Sequence, residues 1–427
     1  MNNRLAAQHL QEDKDIRTKA FGLIILLGLV SLFGDIVYEG SRSANGPYLK
    51  LLTVNAATLG IIAGVGEFLG YALRLISGYI SDHRKSYWFL TFLGYGMLIS
   101  VPLLSLAGVW QVAALFIILE RIGKAVRSPA RDTILSHASS QVGTGFGFGL
   151  HEAMDQIGAV IGPLVFTVFF LTRRGQIGIS EYQDVYAFLW IPFIVVMLCL
   201  FISYRRVPCP HTLAVAQRDN VPDKLSRVFW LYTLFTFVTT AGFCTFILIG
   251  FHFKLTNTLS DAQIPLFYAI AMIVDAIAAL AIGKLYDTLK NRRNDHHAGL
   301  NLLAVIPLLS LLMPMFIFSR SLSLIVIGIC CWGAVMGIHE TIMRSAIADI
   351  TSLAKRGTGY GVFNASYGLA IFLGSSLFGF LYDRSLSFII FAIIIVELLA
   401  FIPFFLMKKE ICAQRALSEN QSISWTL

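Results

Sequence analysis

The chain has 427 residues, of which 56% are hydrophobic and 14% are charged. A soluble protein of this length carries a larger charged fraction, so the composition excludes an ordinary soluble fold. The formal net charge of +8 raises the question of an acidic partner. The basic residues recur in short segments between apolar runs and form no single patch, so we expect no nucleic-acid partner.

Twelve apolar runs follow one another along the chain. Each is long enough to cross the hydrocarbon of a bilayer as a helix of about 20 residues. The connections are mostly short, which indicates one polytopic bundle in a lipid bilayer. The predicted spans are 21–41, 56–80, 87–107, 110–130, 145–171, 185–204, 228–252, 262–286, 299–318, 322–345, 357–381 and 386–407.

The Lys and Arg residues collect in alternate connections, for example at Arg84–Lys85, Arg205–Arg206 and Lys408–Lys409. Clustered basic residues mark the cytoplasmic segments of a membrane protein. We therefore predict a multi-pass protein of the cell inner (plasma) membrane with both termini in the cytoplasm. The first twenty residues lack the apolar core of a cleavable signal peptide.

The six cysteines have no metal-ligand spacing with histidine, and Cys330 and Cys331 are adjacent. We expect no structural disulfide and no metal site. The sequence contains no glycine-rich nucleotide-binding loop, so direct ATP drive within this chain is not expected. No cofactor is predicted.

Three short motifs recur in the two halves of the chain, in the same order and at corresponding spans. Such a series predicts an internal repeat, in which two six-helix units are related by an axis along the membrane normal. The pairs are GYISD (78–82) with GKLYD (283–287), RSPARD (127–132) with RSAIAD (344–349), and GTGFGF (143–148) with GTGYGV (357–362).

The predicted fold class is an all-α integral membrane protein, with twelve transmembrane helices in two pseudo-symmetric six-helix bundles. The longest polar linker follows span six and separates the two bundles. The predicted divisions are a cytoplasmic N-terminal tail (1–20), an N-terminal six-helix bundle (21–204), a cytoplasmic linker (205–227), a C-terminal six-helix bundle (228–407) and a cytoplasmic C-terminal tail (408–427).

Charged residues are distributed unevenly among the spans. Spans three, six and nine contain no Asp, Glu, Lys or Arg, and span twelve has only Glu397. A charge inside a membrane is costly and normally faces a bundle interior or a water-filled cavity. Every third helix is therefore predicted to be a lipid-facing scaffold, and the other helices are predicted to surround a pathway.

These features together resemble the major facilitator superfamily over essentially the whole chain. The segment GYISDHRKSYW (Gly78–Trp88) is similar to that family's loop motif between spans two and three, with Gly78, Asp82, Arg84 and Lys85 in the matching positions. GKAVRSPARD resembles the inner end of span four in bacterial members, and GAVIGP resembles the start of the span-five antiporter motif. The resemblance implies alternating access of a central site lined by spans one, four, seven and ten.

Span one carries Asp35 and Glu39 four residues apart, so both lie on one helix face. Asp35 is the deeper of the two and is a candidate for the pathway. For Glu39 the alternative is an early helix end, with Glu39 and Arg42 at the wet interface. In span two, Glu67 and Arg74 share a face but lie about 10 Å apart along the axis, too far for a direct pair. Each therefore needs a partner on another helix, either in the pathway or in a structural ion network.

Span four places Glu120 near mid-depth, where it is predicted to line the pathway. Lys124 follows four residues later and is able to pair with Glu120 locally. Arg127 and Arg131 are predicted at the cytoplasmic mouth, where they orient the protein and form gate salt bridges.

Span five contains HEAMDQIGAVIGP, with His151 and Asp155 four residues apart and Glu152 turned about 100° away. The same face continues with small residues, which allow two helices to approach closely. The functional hypothesis is a proton relay or substrate contact. The structural alternative is a His–Asp hydrogen bond that locks span five to a neighbour. The residues assigned to helix packing are Gly158, Gly162 and Pro163.

In the second half, Asp275 lies alone at mid-depth of span eight, and burial favours its protonated form. Glu340 and Arg344 are predicted to form a local salt bridge near the inner end of span ten. The predicted proton-coupling or cavity residues are Asp35, Glu39, Glu67, Arg74, Glu120, His151, Glu152, Asp155 and Asp275. The predicted cytoplasmic gate comprises Gly78, Asp82, Arg84, Lys85, Arg127, Arg131, Asp132, Asp287, Glu340, Arg344 and Asp349.

The leading hypothesis is a secondary active transporter that moves a small organic solute by proton-coupled export, as an antiporter functioning as a monomer. Deep carboxylates and a histidine change charge as they meet the two sides of the membrane. The alternative is proton-coupled uptake (symport) of a nutrient or metabolite. An alternative from another class is a non-transporting membrane receptor or scaffold. No enzyme is predicted, because HEAMD lacks the second histidine of a zinc-protease helix.

Overall fold

The computed structural model describes residues 2–173, 175–210, 225–293, 298–351 and 356–424. Over these ranges the chain is helical, as the predicted fold class requires. The α-helices are α1 Asn2–Leu51, α2 Ala56–Arg84, α3 Tyr87–Gly96, α4 Trp110–Val142, α5 Thr144–Thr172, α6 Ile179–Phe188, α7 Trp190–Arg206, α8 Arg227–Gly242, α9 Phe246–Thr256, α10 Gln263–Arg293, α11 Val305–Ile317, α12 Leu322–Ile350, α13 Arg356–Tyr382 and α14 Leu386–Ser424.

Eleven helical segments of the described chain are long and apolar enough to cross a membrane. The predicted span four is α4, which has 33 residues and therefore ample length. It is absent from the eleven because its charges lower its hydropathy. Span four remains a continuous helix that has to bury those charges inside the protein.

The ends of the chain differ from the predicted tails. α1 begins at Asn2, so the described part of the predicted tail is helical and continues into span one. The tail has few residues that interrupt a helix and many that favour one, such as Ala, Leu, Gln, Glu and Lys. At the other end, α14 continues to Ser424 for the same reason.

Among the described residues, four predicted spans are not a single α-helix, and span nine begins as a 3₁₀ segment at Ala298–Ala304 before α11. Span three is α3 followed by 3₁₀ turns at Met97–Ser100 and Pro102–Leu106, since proline lacks the N–H that a continuing helix needs. Span six is divided into α6 and α7 at Leu189. Span seven is divided into α8 and α9, because Phe243 adopts an extended backbone conformation directly after Gly242.

The helices group into two compact units. Unit 1 comprises Met1–Val54, Leu69–Arg218 and Phe253–Ala269, and unit 2 comprises Asn55–Phe68, Asp219–His252 and Ile270–Leu427. Unit 1 draws mainly on the first half of the sequence and unit 2 on the second half, except at two segments, 55–68 and 253–269. Each of these segments packs with helices from the opposite half of the sequence. The first turns of α2 belong to unit 2 and the rest of α2 belongs to unit 1. The end of α9 and the first turns of α10 belong to unit 1, and the rest of both helices belongs to unit 2.

Close backbone contact between α1 and α5 forms the centre of unit 1. A Cβ atom at Gly158 would overlap the carbonyl oxygen of Leu32. One turn later, a Cβ atom at Gly162 would lie 2.7 Å from both the Ile36 oxygen and the Gly40 nitrogen. Glycine is therefore required for the two helices to lie this close.

Small residues also join helices inside unit 2. A Cβ atom at Gly374 of α13 would overlap the Ala241 carbonyl of α8. The first turns of α2 lie against α13 in the same way, where Gly60 meets the backbone of Ser375 and Gly64 meets Phe372. The packing of both units thus depends on glycines at helix crossings.

A carboxylate directly after the end of α13 caps the N-terminus of α2. Asp383 accepts hydrogen bonds from the backbone N–H groups of Ala56 (3.1 Å) and Ala57 (3.0 Å). Asn55 caps the third free N–H, that of Thr58, at 2.9 Å. The negative charge of Asp383 also suits the positive end of the helix dipole.

Replacing Asp383 by alanine is expected to destabilise unit 2 by about 1 kcal/mol, because two N–H groups of α2 lose their acceptor. Amide hydrogen exchange at Ala56 and Ala57 should accelerate, while exchange at Thr58 should change least. Asp383→Asn is the matched control, since it keeps one acceptor oxygen and should give an intermediate effect. Unchanged exchange at Ala56 and Ala57 in the alanine variant would contradict this role.

Candidate functional site

The contact between α1 and α5 brings two carboxyl groups together. Asp35 and Asp155 interact electrostatically across this contact, and Ser31 of α1 donates its hydroxyl to Asp155 Oδ1. Two ionised carboxylates so placed repel each other, so a proton on one of them would stabilise the arrangement.

Two cations of α4 act on these carboxyl groups. Lys124 interacts electrostatically with Asp35, Asp155 and Glu39, and Arg131 interacts with Asp155. The Lys124 Nζ atom lies 3.7 Å from the centroid of the Tyr38 ring, which also holds it by a cation–π contact. Lys124 thus acts on both members of the carboxyl pair.

Tyr38 is a member of the cluster that the sequence analysis missed. Its hydroxyl accepts a hydrogen bond from Arg121 Nη1. Arg121 and Arg42 also lie over its ring, at 4.8 and 5.6 Å from the centroid. The available signal was helical spacing, because Tyr38 is three residues after Asp35 and four before Arg42.

Glu39 lies on the same face of α1 and is only 6% exposed, which excludes the wet helix end considered for it. The hydroxyl of Tyr268, in the first turns of α10 that belong to unit 1, donates to Glu39 Oε2. Arg42 is 3.6 Å from Glu39 Oε1. Glu39 therefore has both a hydrogen-bond donor and a cation as partners.

The other charges of α4 pair inside unit 1. Glu120 lies 3.6 Å from Arg121 and 4.0 Å from Arg127. Arg127, predicted at a cytoplasmic mouth, is 3% exposed and stacks over the Tyr95 ring at 4.8 Å. Its surroundings are those of a buried ion pair.

Arg131 connects the gate motif to the carboxyl pair. Its guanidinium lies 2.8 Å from Asp132 and donates to Ser31 Oγ at 3.3 Å. Ser31 in turn donates to Asp155. Two side chains, Arg131 and Ser31, therefore connect Asp132 to the carboxyl pair.

His151 is buried on α5 and interacts electrostatically with Arg131 and Asp155. Its Nε2 atom has no hydrogen-bond partner among the residues that the structure describes. Glu152, predicted among the proton-coupling or cavity residues, is exposed. Pro163, on the same helix, accepts a hydrogen bond from Thr167 at 3.2 Å.

The remaining predicted pathway residues are divided between the two units. Glu67 belongs to unit 2 and Arg74 to unit 1, where Arg74 lies over the Tyr71 ring at 4.7 Å. In unit 2, Asp275 is buried in α10 and its Oδ1 atom faces Gly337 of α12.

The predicted gate residues of the second half include one ion pair. Asp349 of α12 accepts hydrogen bonds from Lys290 and Tyr286 of α10, each at 2.8 Å. Asp287 and Glu340 are exposed. The side chain of Arg344 lies outside the described residues, so the predicted Glu340–Arg344 pair is outside them as well.

In the first half, Gly78 lies near Pro129, where an added Cβ atom would be 3.7 Å from the proline ring. Arg84 and Lys85 are exposed, and Lys85 has a positive φ of 50° at the end of α2. The side chain of Asp82 lies outside the described residues. The loop motif therefore presents its basic residues at the surface of unit 1.

A second ion cluster in unit 1 was not foreseen from the sequence. Lys254 of α9 lies 2.7 Å from Asp261 Oδ1, and the Tyr182 hydroxyl of α6 donates to the same oxygen at 2.6 Å. The Lys254 and Asp261 side chains are 14% and 15% exposed. This cluster attaches the segment 253–269 to the rest of the unit.

Replacing Lys254 by methionine is expected to destabilise unit 1 by about 3 kcal/mol, because Asp261 would remain as a largely buried carboxylate without its cation. The matched control is the Arg173–Asp184 pair, which has a similar distance of 3.0 Å but exposed side chains. Arg173→Met should cost about 0–1 kcal/mol. Denaturation of the purified protein in detergent measures both changes, and equal costs would contradict the buried role of Lys254.

Known protein sequences are similar to this chain over most of its length. The sequence profile described as Major Facilitator Superfamily matches residues 24–294. An uncharacterized protein of Mycobacterium tuberculosis (strain H37Rv) is 39% identical over 399 residues, covering 91% of this chain and 93% of that protein. An uncharacterized MFS-type transporter of Methanocaldococcus jannaschii is 25% identical, covering 90% of this chain and 94% of that protein.

Solved structures of low identity share the fold. The nucleoside transporter NupG, solved as a mutant, superposes with a TM-score of 0.71 at 13% identity, covering 90% of this chain and 99% of that chain. A bacterial homolog of the human lysosomal transporter Spinster gives 0.69 at 14% identity, covering 92% and 98%. A D-xylose–proton symporter gives 0.62 at 14% identity, covering 89% and 96%.

Proposed function

The chain belongs to the major facilitator superfamily and is a multi-pass membrane transporter rather than an enzyme, and we propose that it exchanges protons for a small organic solute. The observation that carries the proposal is the Asp35–Asp155 carboxyl pair beside Lys124. Acidic side chains at membrane depth are costly and characteristically mark proton or substrate pathways.

The charge balance of this site supports proton coupling. With both carboxyl groups ionised, Asp35 and Asp155 carry two negative charges close to Lys124, while Arg131, the other cation that acts on Asp155, is paired with Asp132. One proton removes the excess charge and allows a hydrogen bond between the carboxyl groups. A cationic group of a substrate removes it equally well, so proton and substrate compete for one site.

Competition for one site is the requirement for antiport. When the solute binds, it takes over the excess negative charge and the proton is released. When the solute leaves on the other side, a proton returns and the pair closes again. The similarity of GAVIGP to the start of the antiporter motif also favours antiport. The glycines of this segment form the α1–α5 contact that positions the carboxyl pair.

Each neighbour then has a distinct task. Ser31 holds Asp155 in place by a hydrogen bond, and Arg131 links Ser31 to Asp132. Tyr38 positions Lys124 beneath the carboxyl groups. We assign Glu120 and Arg127 to the buried structure that keeps α4 in register, because they pair with each other.

The remaining features of the proposal are topological. We place the protein in the inner membrane with both termini in the cytoplasm, because its basic residues collect in the matching connections. The exposed Arg84 and Lys85 and the Asp349–Lys290 pair then lie at the cytoplasmic gate. We propose that one chain is sufficient for transport.

The test uses purified protein in liposomes. A solute library is first screened by the thermal shift of the protein, and each hit is then followed as flux under an imposed pH gradient. We expect solute to move against the direction of proton flow. Movement with the protons would establish symport, which is the alternative, and flux that ignores the gradient would overturn proton coupling.

Proton release on binding gives an independent readout. Adding a hit to the detergent-purified protein in weakly buffered solution should acidify the medium by up to one proton per chain. Symport would instead show proton uptake on binding. A hit that binds without any flux would indicate a receptor and not a transporter.

A further inference from the structure

A second buried carboxyl group lies in unit 2, in a helix that the sequence predicts to be scaffold. Glu397 of α14 has no exposed surface. Thr239 of α8 donates its hydroxyl to Glu397 Oε2 at 2.7 Å, and Ser310 of α11 lies beside it. The Oε1 atom has no hydrogen-bond partner among the described residues and packs against Gly242 of α8.

Among the described residues, the helices around Glu397 bring no cation to it. α11 contains no ionisable side chain, and α8 contains only Arg227 and Tyr232. Arg227 pairs with Glu410 at 3.4 Å, and the Tyr232 hydroxyl donates to the Met343 carbonyl. Within α14 the next basic residue, Lys408, is eleven residues away, about 16 Å along the axis. The third neighbour, α13, carries Tyr360, Tyr367 and Tyr382 among its described side chains, and none of them acts electrostatically on Glu397.

Glu397 packs against the C-terminal end of α8, which adds to the free-energy cost of a negative charge on its carboxyl group. α8 ends at Gly242, the residue against which the carboxyl group packs. The C-terminal end of a helix carries partial negative charge from its free carbonyl groups. An ionised carboxylate there, fully buried and without a counter-ion among the described residues, is strongly disfavoured. The protonated acid carries no charge, so neither burial nor the negative end of α8 disfavours it.

The contacts leave no room for a metal cation in place of the proton. A Cβ atom added at Gly242 would already lie 2.6 Å from Glu397 Oε1. A cation needs several more oxygen atoms around it than the carboxyl group and two hydroxyls that the structure provides. The ligand that fits this site is a proton.

We propose that Glu397 is a second proton-binding site, located at the break between α8 and α9 and separate from the carboxyl pair of unit 1. Binding the proton keeps α8 packed on α14, and losing it draws water to the end of α8. The nearby Trp332 reports on this change, since its Nε1 donates to the Cys244 carbonyl within the break at 2.9 Å and its ring stacks on Phe243.

Infrared spectroscopy of the full-length protein in lipid tests the protonation state directly. At neutral pH we expect the carbonyl stretching band of a protonated carboxylic acid, with a small shift in D₂O. Glu397→Gln should remove one such band, whereas Asp184→Asn, which changes an exposed carboxylate, should not. A spectrum of Glu397→Gln that lacks only an ionised carboxylate band would overturn the proposal.

Two further measurements apply if Glu397→Gln does not fold. Thr239→Val leaves Glu397 in place but removes its hydrogen-bond donor, so the acid band should move to higher frequency; an unmoved band would count against the site. Trp332 fluorescence, assigned with Trp332→Phe, should change as alkaline pH removes the proton, and should not change if Glu397 is ionised throughout. Neither readout depends on transport, so their failure is distinguishable from failure of the antiport proposal.

Discussion

Asp155→Asn should lower solute flux driven by a pH gradient at least about tenfold, a loss equivalent to about 1.4 kcal/mol. Asparagine keeps the size of the side chain and its hydrogen bond from Ser31 but cannot gain or lose a proton at physiological pH. The excess negative charge beside Lys124 is then absent in every state. The solute is expected to bind without releasing a proton, and Asp35→Asn should behave in the same way.

The readout that distinguishes coupling from damage is flux without a gradient. Exchange of labelled for unlabelled solute at equal pH should persist in Asp155→Asn if the variant is folded and has lost only the proton. Asp184→Asn is the control for amide substitution, because Asp184 is exposed and pairs only with Arg173 among the contacts described. A variant whose flux still followed the gradient would place the coupling proton elsewhere, with Asp275 the next candidate.

Much of the fold follows from the sequence because hydrophobic length is decisive in a membrane. Twelve apolar runs and three repeated motifs led to the all-α architecture, and α4 formed a long helix despite its charges. The breaks in spans six and seven were missed. Residues 242–245 read as a continuous apolar run, and the extended backbone at Phe243 depends on tertiary contacts such as that between Trp332 and the Cys244 carbonyl.

The site was predictable residue by residue but not as an assembly. Helical spacing placed Asp35 with Glu39 on one face and Asp155 with its glycines on another. Nothing in a single sequence states which two faces meet, so the pairing of Asp35 with Asp155 required the structure. Glu397 is the single charged residue of span twelve. Because the other outer helices carry no charge, span twelve was predicted to be scaffold and Glu397 was not predicted as a site residue.

Gly158→Ala is expected to destabilise the protein by about 1–3 kcal/mol, because its methyl group would overlap the Leu32 carbonyl and force α1 and α5 apart. The matched control lies on the same helix. Gly149 has no atom within 4 Å of an added Cβ, so Gly149→Ala should be neutral or stabilise α5 by up to about 1 kcal/mol. Thermal unfolding in detergent measures both, and equal shifts would show that the α1–α5 contact is not the constraint.

The same substitution should impair coupling more than its cost in stability requires. Gly158 lies less than one turn from Asp155, so a wider α1–α5 spacing separates Asp155 from Asp35 while leaving both carboxyl groups present. The electrostatic interaction between them weakens, and each then gains or loses its proton independently. We expect Gly158→Ala, measured at a temperature where it is fully folded, to bind solute with little proton release. Full proton release from that folded variant would mean that the pair does not need to touch in order to couple.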